Sequence, residues 1–272
     1  MNENEPYPLT LEPIPAEQFQ DRSGRPWPAG EVPAGNFGTL WLATDISRVA
    51  AGPQAGRGLG YLRHLWGADL AGLNCGDDPG LPLPVELKLK NTGETAQTLA
   101  LTEYSLWYAL EKDSDFQAFE VGSDIDRGTE FRPEFEVGSC LWLPQGTPLF
   151  LAAGLILAQI GPPSRPLPTK PAEDPKAPHW LVPTEIGPEE AAVFQDQHLS
   201  VRLITTSQRG GLTAPEALTF IWPLAGQGRI LTRGPAPTTR LSSGRAVLLP
   251  ASLGRYSVES AGKITYMLIE SR

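Results

Sequence analysis

The chain is poor in the residues that metal and thiol chemistry need. Its 272 residues include three histidines and two cysteines. Cys75 and Cys140 lie far apart, in no CxxC pair and at no metal-type spacing, which excludes a zinc finger or a dithiol redox motif. Both are expected as free thiols of a reducing compartment. A basic run is also missing: 22 Lys and Arg face 31 Asp and Glu, for a net charge of −9. Without a cationic footprint for phosphates, nucleic acid is not expected as a partner. No stretch approaches the ~20 apolar residues of a membrane span. The longest apolar run, Leu149 to Ile160, is interrupted by Gly154 and Gln159, so no membrane association is expected. The start, MNENEPYPLTLEPIP, is acidic and proline-bearing, without the basic and apolar regions of a signal peptide. Together these absences predict a soluble cytoplasmic protein.

Several catalytic signatures are absent as well. No HExxH, Gly-rich phosphate loop, nucleophile motif or carboxylate pair at a productive spacing occurs. What is abundant is glycine and proline, 28 of each. Together they stay below the fraction typical of low-complexity disorder, roughly 25–30%. They therefore read as turns of an all-β protein long enough for one large or two smaller domains.

Short apolar segments between turn residues predict strands at 85–90, 98–110, 116–121, 131–137, 140–143 and 150–159. A second set is predicted at 191–194, 199–206, 218–224, 228–232, 246–249, 256–259 and 264–269. Gly210 and Gly211 read as loop. From Gly58 to Leu73 the period changes. Leu59, Leu62, Leu65, Trp66, Leu70 and Leu73 recur at three and four, as one face of an amphipathic helix over 58–73. Tyr61, Arg63, His64 and Asp69 fall mostly on other faces. Residues 162–188 hold nine prolines and cannot form a central strand or a helix, because proline lacks the donor and fixes φ. The organisation predicted is an N-terminal domain over 1–161 that carries the helix, a Pro-rich connection over 162–188, and a C-terminal domain over 189–272.

Two cassettes share one template. Gly138-Ser-Cys-Leu-Trp-Leu-Pro144 and Gly244-Arg-Ala-Val-Leu-Leu-Pro250 both place proline six residues after glycine. Their spacing of about a hundred residues indicates a duplicated domain and not a solenoid, whose periods are roughly 20–50. The template resembles the second signature of the cupin barrel, which implies a bicupin of two double-stranded β-helix (jelly-roll) barrels.

The whole chain then resembles the type I mannose-6-phosphate isomerase family. The resemblance is carried in order by Tyr7-Pro8-Leu9, the strand from Trp41 to Ser47, Ala51-Gly-Pro-Gln-Ala-Gly56, and the helix closing at Gly72. It continues through Pro84-Val-Glu-Leu-Lys88-Leu, Leu106-Trp107-Tyr108-Ala-Leu110, Phe220 to Arg229 and Leu241 to Ala251. It implies one divalent metal, usually zinc, held by a glutamine, two histidines and a glutamate. Those positions fall here on Leu99, Leu101, Ser105 and Leu149, and three leucines and a serine do not supply zinc's donors.

Of the three histidines, His64 lies in the helix, His179 in the Pro-rich connection and His198 before a second-domain strand, and each reads as solvated or packing. Glu103 is the best relocated carboxylate. It lies two residues from Ser105, so strand alternation points both side chains to the same face, together with Leu99 and Leu101. The family's arginine segment has become Gln159-Ile-Gly-Pro-Pro-Ser-Arg165, so no catalytic residue is assigned. Lys88 matches the family's active-site lysine, or else faces solvent in the alternating strand Glu86-Leu-Lys88-Leu-Lys90. Trp107 reads as barrel core.

The expected pocket is thus Lys88, Leu99, Leu101, Glu103, Ser105, Trp107 and Leu149, with no metal or other cofactor. The predicted function is a non-catalytic, isomerase-like bicupin that binds a small molecule or serves a structural role, with a homodimer as one arrangement. The alternative is a divergent sugar-phosphate aldose–ketose isomerase with a rearranged site, which would take a sugar-phosphate-like ligand.

Overall fold

The computed structural model describes residues 6–15, 39–44, 46–72, 83–92, 97–101, 104–112, 119–122, 130–131, 136–145, 147–151, 154–161, 179–196, 199–207, 210–213, 217–232 and 238–271. They are mostly strand. The first half contains β1 (Leu9–Thr10), β2 (Ile14–Pro15), β3 (Thr39–Ala43), helices α1 (Leu59–Trp66) and α2 (Ala68–Ala71), β4 (Glu86–Asn91), β5 (Gln97–Ala100), β6 (Ser105–Lys112), β7 (Phe119–Gly122), β8 (Glu130–Phe131), β9 (Cys140–Leu143), β10 (Pro148–Leu151) and β11 (Leu155–Gly161). The second contains β12 (His179–Leu181), β13 (Thr184–Gly187), β14 (Glu190–Gln195), β15 (Leu199–Thr206), β16 (Gly210–Thr213), β17 (Thr219–Ala225), β18 (Gln227–Thr232), β19 (Thr239–Ser242), β20 (Val247–Leu249), β21 (Arg255–Ser260) and β22 (Ile264–Ser271).

These strands form four sheets that repeat one order twice. The large sheets run β12-β9-β6-β11-β4-β3-β2 and β1-β20-β17-β22-β15-β14-β13. The small ones run β5-β10-β7-β8 and β16-β21-β18-β19. Strand for strand the two halves correspond, except that each large sheet takes its first edge strand from the start of the other half. Leu9 pairs with Leu248, and His179 with Trp142. The cassette glycines explain their own identity: Gly138 and Gly244 turn into β9 and β20 at φ 90° and 78°, a conformation that favours glycine.

Period-two alternation sets the layers. In β6, Leu106 and Tyr108 point to one core while Trp107 and Ala109 point to another. In β22, Met267 and Ile269 join the first of these cores, while Tyr266 and Leu268 join a third. The large core is therefore shared between the two seven-stranded sheets, where Trp142 stacks on Phe194 with ring centroids 4.5 Å apart. Each of the two smaller cores lies between a large sheet and its four-stranded partner.

Several sequence expectations are corrected. Residues 98–110 are not one strand: β5 ends at Ala100 in a small sheet, and β6 begins at Ser105 in the facing large one. The segment 150–159 is divided at Gly154, which has φ 77°. The Pro-rich connection contributes β12 and β13, both at sheet edges, where proline's missing donor is tolerated. Gly210 and Gly211 pair with Val258 and Ser257 in β16. The helix over 58–73 breaks at Gly67 (φ 49°) into α1 and α2. Leu65 is exposed and Arg63 buried, the reverse of the expected face. Leu73 lies outside the described residues. No helix among the described residues is long and apolar enough to cross a membrane.

Because Leu9 is fully buried in the shared core, a short terminal strand holds the two halves together. Leu9→Ala should lower the unfolding free energy by about 2–5 kcal/mol, measured by urea denaturation.

Candidate functional site

The inner face of the first half is built from every second residue of β6, β9, β10 and β11. Leu101, Trp107, Ala109, Leu141, Leu143, Leu149, Leu151, Leu155 and Leu157 form one buried apolar cluster. Trp107 and Leu149 are fully buried, and Leu101 nearly so. At the edge of the cluster Ser105 is buried, and its Oγ accepts a 2.7 Å hydrogen bond from Trp107 Nε1. That bond satisfies the one polar group a tryptophan brings to a core. Gly161 keeps this corner tight, since a Cβ there would meet the Tyr104 carbonyl oxygen at 2.9 Å.

The expected site residues are largely brought together. Leu101, Ser105, Trp107 and Leu149 meet around the cluster, and Leu149 pairs in register with Leu99 on β5. Lys88 shares the inner face two strands from Trp107, with Gln159 between them in register. Glu103 lies outside the described residues. Of the histidines, His64 is exposed on α1, His179 opens β12 and His198 is outside the described residues.

Sequence reasoning missed the company Lys88 keeps. Its ammonium lies 3.1 Å from Glu86 Oε2 and 3.9 Å from the centroid of the Trp41 ring. The Glu86 contact is an ion pair by distance but out of line for a hydrogen bond, as Oε2 finds no hydrogen-bond partner. Glu86 Oε1 accepts from Thr44 Oγ1 at 3.1 Å. The alternation Glu86-Leu-Lys88 is real, yet its polar side does not face water: the two charged side chains are only 8% and 13% exposed. Burial, with a smaller push from Lys88, also lowers the pKa of Lys90. The signal for this cluster was the charged face itself, opposite leucines buried in the shared core.

The donor set does not fit zinc. Leucine has no lone pair to give, and the one hydroxyl present is engaged by Trp107. Among the described residues no three of His, Cys, Asp and Glu gather as a metal would need. Cys140, a free thiol, is fully buried on the shared-core side, which raises its pKa far above the usual thiol range.

The second half is different inside. Arg202 on β15 reaches Glu190 Oε1 at 2.6 Å and Glu270 Oε2 at 2.9 Å, tying three adjacent strands. The cassettes align Leu141 with Val247, and the registers then carry Trp107 to Ile221, Gln159 to Leu268 and Lys88 to Arg202. Both halves thus set a cation at one point of the duplicated inner face. Tyr256 and Tyr266 are buried in the same interior, and desolvation raises both phenol pKa values far above the ordinary range, so they stay protonated.

This architecture is the mostly β, cupin-like class of fold. The chain is similar to the mannose 6-phosphate isomerase of Bacillus subtilis, with a TM-score of 0.68 at 17% identity over 96% of this chain and 99% of that one. It is also similar to a protein of Archaeoglobus fulgidus assigned as a mannosephosphate isomerase, with a TM-score of 0.65 at 11% identity over 98% of each chain. At such identities the likeness is one of fold. No family model matches the sequence, and no curated protein matches it.

If the Ser105 hydroxyl serves the core, removing it strands the indole N–H of Trp107. Ser105→Ala should cost about 1–3 kcal/mol of stability, measured by chemical denaturation.

Proposed function

We infer that this protein is a bicupin of mannose-6-phosphate isomerase type in which packing has replaced the metal site, and that it acts without catalysis, as a small-molecule-binding or structural protein. On this reading two double-stranded β-helix barrels, over 1–161 and 189–272, are joined by the segment 162–188 in a cytoplasmic protein. The four sheets, their repeated order and the separate inner cores support it.

One observation carries the functional part. The positions that match the family's ligand set hold Leu99, Leu101, Ser105 and Leu149, and the last three are buried in or beside one apolar cluster. An aldose–ketose isomerase shifts a proton between neighbouring carbons through an enediol, whose developing oxyanion a Lewis acid stabilises. Several kcal/mol of that stabilisation, and orders of magnitude in rate, depend on the missing donors. Nor is Lys88 held ready for a phosphate, because Glu86 neutralises it and Trp41 covers it.

The test is elemental analysis of the purified protein together with a mannose 6-phosphate isomerase assay. The expected outcome is less than a tenth of an equivalent of zinc, by order of magnitude, and no turnover above background. Stoichiometric zinc with measurable conversion to fructose 6-phosphate would establish the alternative, a divergent isomerase with a rearranged site.

A further inference from the structure

The cations of this acidic chain are unevenly placed. Residues 227–263 contain six Lys and Arg against one Asp or Glu, whereas the rest of the chain contains sixteen against thirty. That segment carries β18, β19 and β21, three of the four strands of the second half's small sheet. These strands turn Ile230, Leu241, Tyr256 and Val258 into the inner core, so alternation sends Arg229, Arg240, Arg255 and Glu259 to the outer face. Arg229, Arg240 and Arg255 are exposed there, and Lys263 is exposed in the turn between β21 and β22. Arg233 lies outside the described residues.

The registers fix the pattern of charge. Arg229 stands opposite Arg240 on one neighbouring strand and opposite Glu259 on the other. Glu259 Oε2 accepts from Arg229 Nε at 2.7 Å, so this open face already seats one carboxylate. Arg240 instead has a like charge directly across from it, an arrangement that destabilises a sheet. No carboxylate among the described residues reaches Arg240 or Arg255. Arg255 lies four residues from Glu259 along β21, about 13 Å, which an extended segment of about four residues spans.

The planar fork of arginine matches a carboxylate, and one placed beside Arg240 would relieve its repulsion with Arg229. The rest of the chain limits the size of the anion. Charges act over about 8–10 Å at ordinary salt, so a nucleic-acid backbone or an anionic membrane would extend past the patch and meet the negative remainder. A short acidic segment would not.

We propose that the outer face of β18, β19 and β21 docks a short, extended acidic segment of a partner protein, whose carboxylates engage Arg240 and Arg255. This docking is independent of the loss of metal chemistry in the first half, which is decided by zinc content and turnover.

The experiment is fluorescence anisotropy of a labelled octaglutamate peptide titrated with the full chain, at roughly 50 mM and roughly 200 mM salt. Binding should saturate at the lower salt and weaken at the higher. Arg240→Glu and Arg255→Glu should each weaken it by about tenfold, the loss of one charge-assisted contact. Arg48→Glu, at an exposed position of the first half, makes the same change in net charge and should leave binding as it is. Glu259→Gln removes the resident carboxylate and frees Arg229, so it should tighten binding. Arg240→Gln and Arg255→Gln make the same test if the charge reversals do not fold. Anisotropy that does not saturate, equal weakening by Arg48→Glu, or no gain from Glu259→Gln would overturn the proposal. So would a single-stranded oligonucleotide of equal charge that binds as tightly as octaglutamate.

Discussion

The central strands of both large sheets are buried on both faces, and the rest of the structure follows from that constraint. A strand with solvent on one side needs apolar residues at alternate positions only. Here β6, β9, β11, β17, β20 and β22 need them on both, as in Cys140-Leu-Trp-Leu143 and Val247-Leu-Leu249. One set of side chains makes the core shared by the two halves, and the other fills the halves individually. The exchange of β1 and β12 between the sheets and the stack of Trp142 on Phe194 make the shared core continuous across the duplication.

The inner face of the first half belongs to this scheme: its described apolar side chains form one buried cluster. Burying a leucine side chain contributes about 1.5–3 kcal/mol. A histidine or carboxylate left there without a metal would be a buried polar group without its partner, a net cost. In a buried apolar cluster, leucine at positions such as 101 and 149 is the stabilising choice. Ser105 fits because Trp107 supplies a donor for its oxygen. Of the charged groups described on this face, Lys88 and Glu86 are paired and set against Trp41.

Much of the fold was legible because its signals are local. The glycine–proline cassettes announced the duplication, and β9 and β15 have the bounds their apolar patterns predict. What was not legible depends on tertiary pairing. The reciprocal edge strands Leu9–Thr10 and His179–Leu181 are too short to show a period, and the break between Ala100 and Ser105 is invisible in a run of β-compatible residues. In the site, the leucines at 101 and 149 are apparent from sequence, but their packing around Trp107 is not. The Arg202, Glu190 and Glu270 cluster was missed for a different reason. Its members lie on three strands, and nothing in the spacing of 190, 202 and 270 links them.

The central claim is that the first half's inner face is a close-packed core at the very position where a metal-binding histidine would stand. The most direct test is the unfolding free energy of Leu149→Ala. A packed interior predicts a loss of about 3–5 kcal/mol with an unchanged denaturant slope. A loss below about 1 kcal/mol would mean that Leu149 lines an open chamber, and would contradict the account.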